Sequence, residues 1–202
     1  MYHQLRRILY DIALGAFPVL LQIASLFHGK AKLMIDGRKN WEEELANQKF
    51  SGKKIWIHCA SLGEFEQGRP LIEKIRASYP TCSIIITFFS SSGYEVRKDY
   101  PGADYICYLP FDGPNSSQKF IDQLKPDLAI FVKYEFWYHY LRTLKKRSIP
   151  TFSISAIFRP EQQFFKKNGY LFREMLSCFD HLFVQNKSSE ELLKNQGFKK
   201  TF

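Results

Sequence analysis

The sequence has few cysteines and no pattern that would pair them or bind a metal. The four, Cys59, Cys82, Cys107 and Cys178, show no CxxC spacing, and no zinc-ligand pattern is present. Three of them lie in or at the end of apolar, strand-like runs. We therefore predict buried free thiols, as in a protein of a reducing compartment, and no metal site.

The glycine-rich motifs of several common enzyme classes are also missing. There is no GxGxxG after the first apolar run, no GxxxxGK[ST] and no GxSxG. The sequence therefore does not indicate a dinucleotide-dependent enzyme, a P-loop enzyme or an α/β-hydrolase.

Acidic residues are outnumbered by basic ones, 20 to 29, which gives a net charge of +9 over 202 residues. The excess is uneven, because the segment from Lys133 to Lys200 holds 13 Lys/Arg against 6 Asp/Glu, a difference of +7. Such a surface favours anionic partners, namely phosphorylated lipids, nucleotides or nucleic acid. Nucleic acid is the weaker hypothesis, because no DNA- or RNA-binding motif accompanies the charge.

An apolar stretch of 20 residues, Ile8–Phe27, is long enough to span a bilayer. Asp11, Pro18 and Gln22 interrupt it, cations flank both ends, and no small-residue cleavage site follows it. The stretch is either a core helix packed on the domain or a membrane anchor that spans or lies in the interface. We predict the anchor, with residues 1–35 forming the anchor helix and its connector.

From residue 36 to residue 202 the sequence alternates between β-rich apolar runs and amphipathic segments. The runs begin roughly 22 to 30 residues apart, at Lys54–Cys59, Cys82–Phe88, Tyr105–Leu109, Asp127–Val132, Thr151–Ser155 and His181–Gln185. Helical patterns lie between them, at Pro70–Tyr79, Ser116–Leu124, Phe136–Lys146, Phe164–Phe179 and Ser188–Gln196. The pattern predicts an α/β domain with a doubly wound, mostly parallel sheet. Ligands of such sheets bind beyond the carboxyl ends of the strands.

Glu64 follows the first predicted strand in the segment HCASLGEFEQGRP. Gly63 is expected to let the backbone turn sharply, which would present the carboxylate at the sheet edge as a general base. Alternatively, Ser61 or Glu64 only caps the helix that follows. From spacing alone, the capping role is the more frequent one.

Three other segments at the predicted sheet edge have both a functional and a structural interpretation. Glu135, after the fourth strand, could orient a reaction intermediate or only favour a helix start. The serine-rich turn with Ser90, Ser91 and Ser92 could bind an anion or only cap a helix. Arg159 could pair with a phosphate or carboxylate, or lie free on the surface. His58 and His139 are predicted to be structural.

Taken in order, these segments resemble a known family. The series runs from GRKNW (Gly37–Trp41) through SLGE, TFFSSSG, YLPFD, EFW and SAIFRP to FVQNKSSEELLKNQGF. It is similar to the amino-terminal half of the 3-deoxy-D-manno-octulosonic acid (Kdo) transferases. The resemblance covers nearly the whole chain from about Gly37 onward.

The resemblance implies a Rossmann-like amino-terminal domain of a GT-B glycosyltransferase, which faces a lipid A precursor at the cytoplasmic side of the inner membrane. A carboxyl-terminal domain would bind CMP-Kdo, and Kdo would be transferred in lipopolysaccharide synthesis with inversion and without a metal or other cofactor. Glu64 matches the general base of the family's S-[VL]-G-E motif, and Glu135 matches the glutamate of E-[LI]-W-P-N that supports the transition state. Ser61, Gly63, Ser90, Ser91, Ser92 and Arg159 are the expected acceptor-binding residues.

The chain departs from the family pattern at two motifs and in length. Tyr138-His139 replaces the usual Pro-Asn, and Arg159 is shifted relative to the family's arginine. The sequence ends at Phe202, before the expected donor-binding domain, so we expect this chain alone to bind acceptor or membrane without turnover. The alternative is a non-catalytic α/β module that docks on anionic membrane.

Overall fold

The computed structural model describes residues 2–198 and Thr201. Met1, Lys199, Lys200 and Phe202 belong to the predicted anchor and domain but lie outside the described residues. Six strands are present within the described part of the chain: β1 (Lys54–Cys59), β2 (Ser83–Phe88), β3 (Tyr105–Tyr108), β4 (Leu128–Val132), β5 (Thr151–Ala156) and β6 (His181–Val184).

Helices precede and alternate with these strands. Three lie before the sheet: α1 (Tyr2–Ser25), α2 (Gly29–Asp36) and α3 (Trp41–Ala46). The others are α4 (Leu62–Ser78), α5 (Ser91–Arg97), α6 (Pro114–Leu124), α7 (Tyr138–Lys146), α8 (Tyr170–Leu176) and α9 (Lys187–Asn195). A short 3₁₀ turn, Gln163–Phe165, precedes α8.

The strands form one parallel sheet in the order β3-β2-β1-β4-β5-β6. The chain winds outward from β1 in one direction through β3, then returns and winds the other way from β4. The direction of winding therefore changes between β1 and β4, where an open sheet leaves a crevice at its carboxyl edge. The predicted doubly wound parallel fold is confirmed.

Both faces of the sheet are covered, as the uniformly apolar strands predict. Along β1, Trp56 packs on one face with Phe120, Phe131 and Tyr140, whereas Ile57 and Cys59 pack on the other with residues of α4. This alternation is the period of two expected of a strand. All four cysteines are buried and free, as predicted.

Two helical predictions require correction. The segment predicted as one helix over Phe164–Phe179 is a 3₁₀ turn followed by the shorter α8. Arg173 reaches back from α8 and donates to the carbonyl oxygens of Phe164 and Lys166, which holds the chain in a tight turn between the two. In addition, α4 begins at Leu62 rather than at Pro70. Ser61 and Glu64 cap the helix at this earlier point, and Pro70 lies inside it.

The first helix packs on the domain along one side and exposes most of its apolar side chains. The Tyr10 hydroxyl donates to Asp112 Oδ2 at 2.8 Å and accepts from the Tyr138 backbone N–H at 3.1 Å. Asp11 Oδ1 lies 2.8 Å from His139 Nε2. The helix is long and apolar enough to cross a membrane, and the apolar residues Leu5, Ile8, Leu9, Ile12, Val19, Leu20 and Ile23 are exposed.

Candidate functional site

The loops after β1 and β4 meet at the carboxyl edge of the sheet, where the winding direction changes. The two strands are neighbours in register, with His58 opposite Phe131. Glu64 lies in the first turn of the helix that follows β1, and Glu135 lies in the loop that follows β4. The fold therefore brings together the two glutamates that are 71 positions apart in the sequence.

Glu64 is the third residue of α4, and its carboxylate caps the helix that contains it. Glu64 Oε2 accepts from the Ser61 backbone N–H at 2.8 Å and from the Ser61 hydroxyl at 3.1 Å. The pKa of Glu64 is raised, first by partial burial and then by the negative charge of Glu135, although the Ser61 hydrogen bonds oppose this. A carboxylate with a raised pKa is a better proton acceptor at neutral pH.

Gly63 does not form the sharp turn that the sequence suggested. It lies inside the first turn of α4, and its φ is not among the positive values, which occur at Gly52 and Gly197 among the described glycines. A Cβ built on Gly63 would have open space around it. The glycine therefore keeps the surface beside Glu64 uncovered instead of bending the backbone.

Glu135 is buried, at 7% exposure, and one of its carboxylate oxygens lies within hydrogen-bond distance of two ring nitrogens. Trp137 Nε1 donates to Glu135 Oε2 at 2.6 Å, and His58 Nε2 lies 3.1 Å from the same oxygen. Two residues earlier, Lys133 has a φ of 70°, a left-handed conformation that is unfavourable for a residue with a Cβ. This bend ends β4 and begins the loop that carries Glu135.

The serine-rich turn lies directly beside the loop that precedes Glu64. The Ser90 backbone N–H donates to the Ala60 carbonyl oxygen at 2.8 Å, and the Ser90 and Ser92 hydroxyls are 2.8 Å apart. A Cβ on Gly93 would lie 3.0 Å from the Ser61 carbonyl carbon and would collide with the Phe88 ring, so only glycine allows this close approach. Ser91 is buried, whereas the Ser92 side chain is exposed.

Arg159 is not joined to the glutamates by any contact that the structure describes. It follows β5, its side chain is exposed, and its backbone N–H donates to Gln162 Oε1 at 3.0 Å. Its predicted acceptor-binding role stays a prediction.

Sequence reasoning missed the residues that hold Glu135 in place. His58 was expected to be structural, and it is fully buried, but it contacts the Glu135 carboxylate directly. The available signal was the period of β1, which puts Trp56 and His58 on one face beside Thr87 of β2. No comparable sequence pattern predicts the position of the Trp137 side chain, because the loop after β4 has no regular period.

An aromatic cluster connects this site to the first helix. The Trp137 ring stacks on Phe89 with centroids 4.7 Å apart, and Phe89 in turn contacts Phe17 of α1 at 5.8 Å. The buried guanidinium of Arg38, from the GRKNW segment, lies over Phe89 and donates to the carbonyl oxygens of Leu109 and Phe89. Within the described residues, no group of three or more His, Cys, Asp or Glu side chains is arranged to hold a metal.

Residues 39–201 match the family described as 3-Deoxy-D-manno-octulosonic-acid transferase (kdotransferase). A 3-deoxy-D-manno-octulosonic acid transferase of Haemophilus influenzae is 36% identical over 97 residues, covering 48% of this chain and 23% of that protein. The protein of the same name from Aquifex aeolicus is 28% identical over 150 residues, covering 73% of this chain and 38% of that protein. The chain thus spans less than half the length of these relatives.

Solved structures with a similar fold include two UDP-GlcNAc 2-epimerases. The enzyme from Neisseria meningitidis superposes with a TM-score of 0.54 at 16% identity, over 74% of this chain and 45% of that chain. The enzyme from Methanocaldococcus jannaschii gives a TM-score of 0.55 at 15% identity, over 74% of this chain and 44% of that chain. At this level of identity the similarity concerns the fold alone.

Proposed function

The chain belongs to the 3-deoxy-D-manno-octulosonic-acid (Kdo) transferase family, and we propose that it forms the acceptor-binding domain of such a glycosyltransferase. The observation that carries the proposal is the position of Glu64 and Glu135 at the carboxyl edge between β1 and β4. This is the place where open α/β sheets bind their ligands.

In the proposed reaction, Kdo passes from CMP-Kdo to a hydroxyl group of a lipid A precursor. Glu64 takes the proton of that hydroxyl, the hydroxyl oxygen attacks the anomeric carbon from the face opposite CMP, and CMP leaves, so the configuration is inverted. The raised pKa of Glu64 supports its role as the base. Glu135 stabilises the positive charge that develops on the sugar in the transition state. CMP-Kdo would bind mainly to a second domain.

The acceptor would contact the surface around Glu64. Gly63 leaves this surface open, and the Ser61, Ser90 and Ser92 hydroxyls line the adjoining loops. Ser91 is buried, so we assign it to positioning the serine-rich turn. Arg159 lies after β5, the strand next to β4, and we assign it to contacting the distal part of the acceptor.

We propose further that residues 1–35 attach the domain 36–202 to the cytoplasmic face of the inner membrane. The hydrogen bonds of Tyr10 and Asp11 hold α1 along the domain, which favours a helix lying in the interface over one that crosses it. A groove of about 520 Å³ beside α1 carries a net positive charge, which would favour contact with an anionic membrane surface. Its charged lining residues are Arg7, Arg142, Lys145, Lys146, Arg147 and one carboxylate, Glu174.

A second candidate is a membrane-docking module without catalysis, which the exposed apolar side of α1 favours. The two candidates differ in what the chain recognises. An acceptor-binding domain distinguishes a lipid A precursor from other anionic lipids, whereas a docking module binds any anionic bilayer.

Binding of a lipid A precursor to the chain in mixed micelles tests the proposal, with an anionic phospholipid as competitor. We expect saturable binding that the phospholipid does not displace, and its loss in Gly63→Trp, whose ring would cover the surface beside Glu64. Gly63→Ala is the matched control, because its methyl group has open space and should leave binding intact. Equal displacement by the phospholipid, or full binding by Gly63→Trp, would favour the docking module.

A further inference from the structure

Three buried side chains behind Glu135 form a hydrogen-bond series that runs from Trp56 through Thr87 and His58 to the carboxylate. We propose that His58 is a positioning residue for Glu135 and that the Thr87 hydroxyl fixes the neutral His58 ring with its proton on Nε2. The importance of this arrangement for catalysis rests on the proposed function of Glu135. The arrangement itself rests on the hydrogen bonds alone.

The direction of the series is set at Trp56. An indole N–H can only donate, and Trp56 Nε1 donates to Thr87 Oγ1 at 2.8 Å. The Thr87 hydroxyl has one proton of its own, and His58 Nδ1 lies 2.9 Å from its oxygen. Since the hydroxyl already accepts from Trp56, its proton is free to bond with the Nδ1 lone pair. In this arrangement Nδ1 is an acceptor, and the ring proton is on Nε2.

The opposite side of the ring faces the Glu135 carboxylate and the indole N–H of Trp137. His58 Nε2 lies 3.1 Å from Glu135 Oε2, and an ionised carboxylate only accepts. Trp137 Nε1 donates to the same oxygen at 2.6 Å and lies farther, 3.1 Å, from His58 Nε2, so the shorter hydrogen bond of the indole goes to the carboxylate. Two donors thus fix Oε2, while Oε1 accepts no hydrogen bond from the described residues and stays available to a ligand.

The other neutral tautomer would fit these surroundings less well. With the proton on Nδ1, the ring could donate to the Thr87 carbonyl oxygen at 3.1 Å, and Nε2 could accept from Trp137 Nε1 at 3.1 Å. The Nε2 lone pair would nevertheless face the Glu135 carboxylate oxygen at 3.1 Å. Trp56, Thr87 and His58 are each 0% exposed, so water cannot relieve this repulsion. The Thr87 hydroxyl and the Glu135 carboxylate therefore favour the same tautomer from opposite sides of the ring, although the hydroxyl does not contact Glu135.

Nitrogen-15 NMR of the imidazole in the whole chain at pH 7 tests the proposal without any activity assay. We expect an unprotonated Nδ1 and a protonated Nε2 in the unsubstituted chain and in Thr87→Ser, which keeps the hydroxyl. Thr87→Val has nearly the same volume but no hydroxyl, and it should move the proton towards Nδ1. A proton on Nδ1 in the unsubstituted chain, or a Thr87→Val spectrum identical to that of Thr87→Ser, would overturn the proposal.

A second comparison uses amides that replace one ring nitrogen each. In His58→Gln the amide occupies the place of Nε2 and can still donate to Glu135, whereas in His58→Asn it occupies the place of Nδ1. In the transferase that contains this domain, we expect His58→Asn to lose about 10²-fold in kcat and His58→Gln to retain most of it, because a 1 Å misplacement costs about that factor. Equal losses in both, with equal melting temperatures, would contradict the positioning role.

The function proposed for Glu135 is tested separately. If the NMR result holds but a Glu135→Gln transferase keeps full activity, the function proposed for Glu135 is wrong, whereas the tautomer proposed for His58 stands.

Discussion

At the scale of single residues, Glu64 combines two roles that the sequence presents as alternatives. Its Oε2 accepts both Ser61 hydrogen bonds and so begins α4. Because both bonds end on one oxygen, the carboxylate can cap the helix and keep its other oxygen for a second interaction. Finding the capping interaction therefore does not argue against the proposed base.

The interaction between the two glutamates predicts a pKa change. The charge of Glu135 is the second largest cause of the raised pKa of Glu64, after burial, so Glu135→Gln should lower the pKa of Glu64 towards its ordinary value. The carbon-13 shift of the Glu64 carboxyl group, followed from pH 3 to pH 8, measures this. Glu73→Gln, an exposed change on the same helix, is the control and should leave that pKa unchanged.

The raised pKa of Glu64 also makes the stability of the fold depend on pH. Because the folded state binds the Glu64 proton more tightly than the unfolded state does, this contribution to stability is present at low pH and is lost as the pH rises through the folded pKa. Glu135→Gln should reduce the loss. A Glu64 pKa that stays the same or rises in Glu135→Gln would contradict the proposed proximity of the two charges.

At the scale of secondary-structure elements, α1 and the loop that carries Glu135 are connected through the start of α7. Asp112 accepts from the backbone N–H groups of His139 and Tyr140, and Tyr10 of α1 binds both Asp112 and the Tyr138 N–H. These contacts satisfy N–H groups that the first turn of a helix leaves free. The proposed membrane helix is thus fixed to the domain beside the candidate site.

The exposed side of α1 predicts binding to lipid. Val19 on α1 is 59% exposed and Val96 on α5 is 57% exposed, so Glu substitutions at the two positions form a matched pair. We expect Val19→Glu to lower co-sedimentation with vesicles of phosphatidylglycerol and phosphatidylethanolamine by about tenfold or more, because burying a valine contributes about 1.5 kcal/mol or more.

Val96→Glu should leave vesicle binding unchanged. Equal losses in the two variants would mean that the added negative charge, rather than the apolar side of α1, controls the interaction. Unchanged binding in both would contradict the proposed membrane contact of α1.

At the scale of the whole molecule, the sheet and the strand ends could be predicted because they follow from local patterns. Continuous apolar runs at regular spacing indicate a parallel sheet, and β1 has the bounds that its sequence predicts, Lys54–Cys59. The place of Glu64 and Glu135 at one edge follows from the same pattern, because each lies in the segment that follows the carboxyl end of a strand.

The remaining features depend on contacts between distant segments, which no local pattern encodes. The break before α8 depends on Arg173 binding carbonyl oxygens of the preceding turn. The environment of Glu135 depends on His58, 77 positions earlier, and on a loop of irregular backbone. The resemblance to the family suggested the role proposed for each glutamate, but not the residues that hold Glu135 in place.

The most direct test of the account is Kdo transfer from CMP-Kdo to a lipid A precursor by Glu64→Gln in the transferase that contains this domain. The glutamine oxygen can still accept from Ser61 and keep the helix cap, but it cannot take a proton. We predict a loss of about 10²–10⁴-fold in kcat, with acceptor binding and melting temperature preserved. Transfer at close to the normal rate would contradict the central claim that Glu64 is the base.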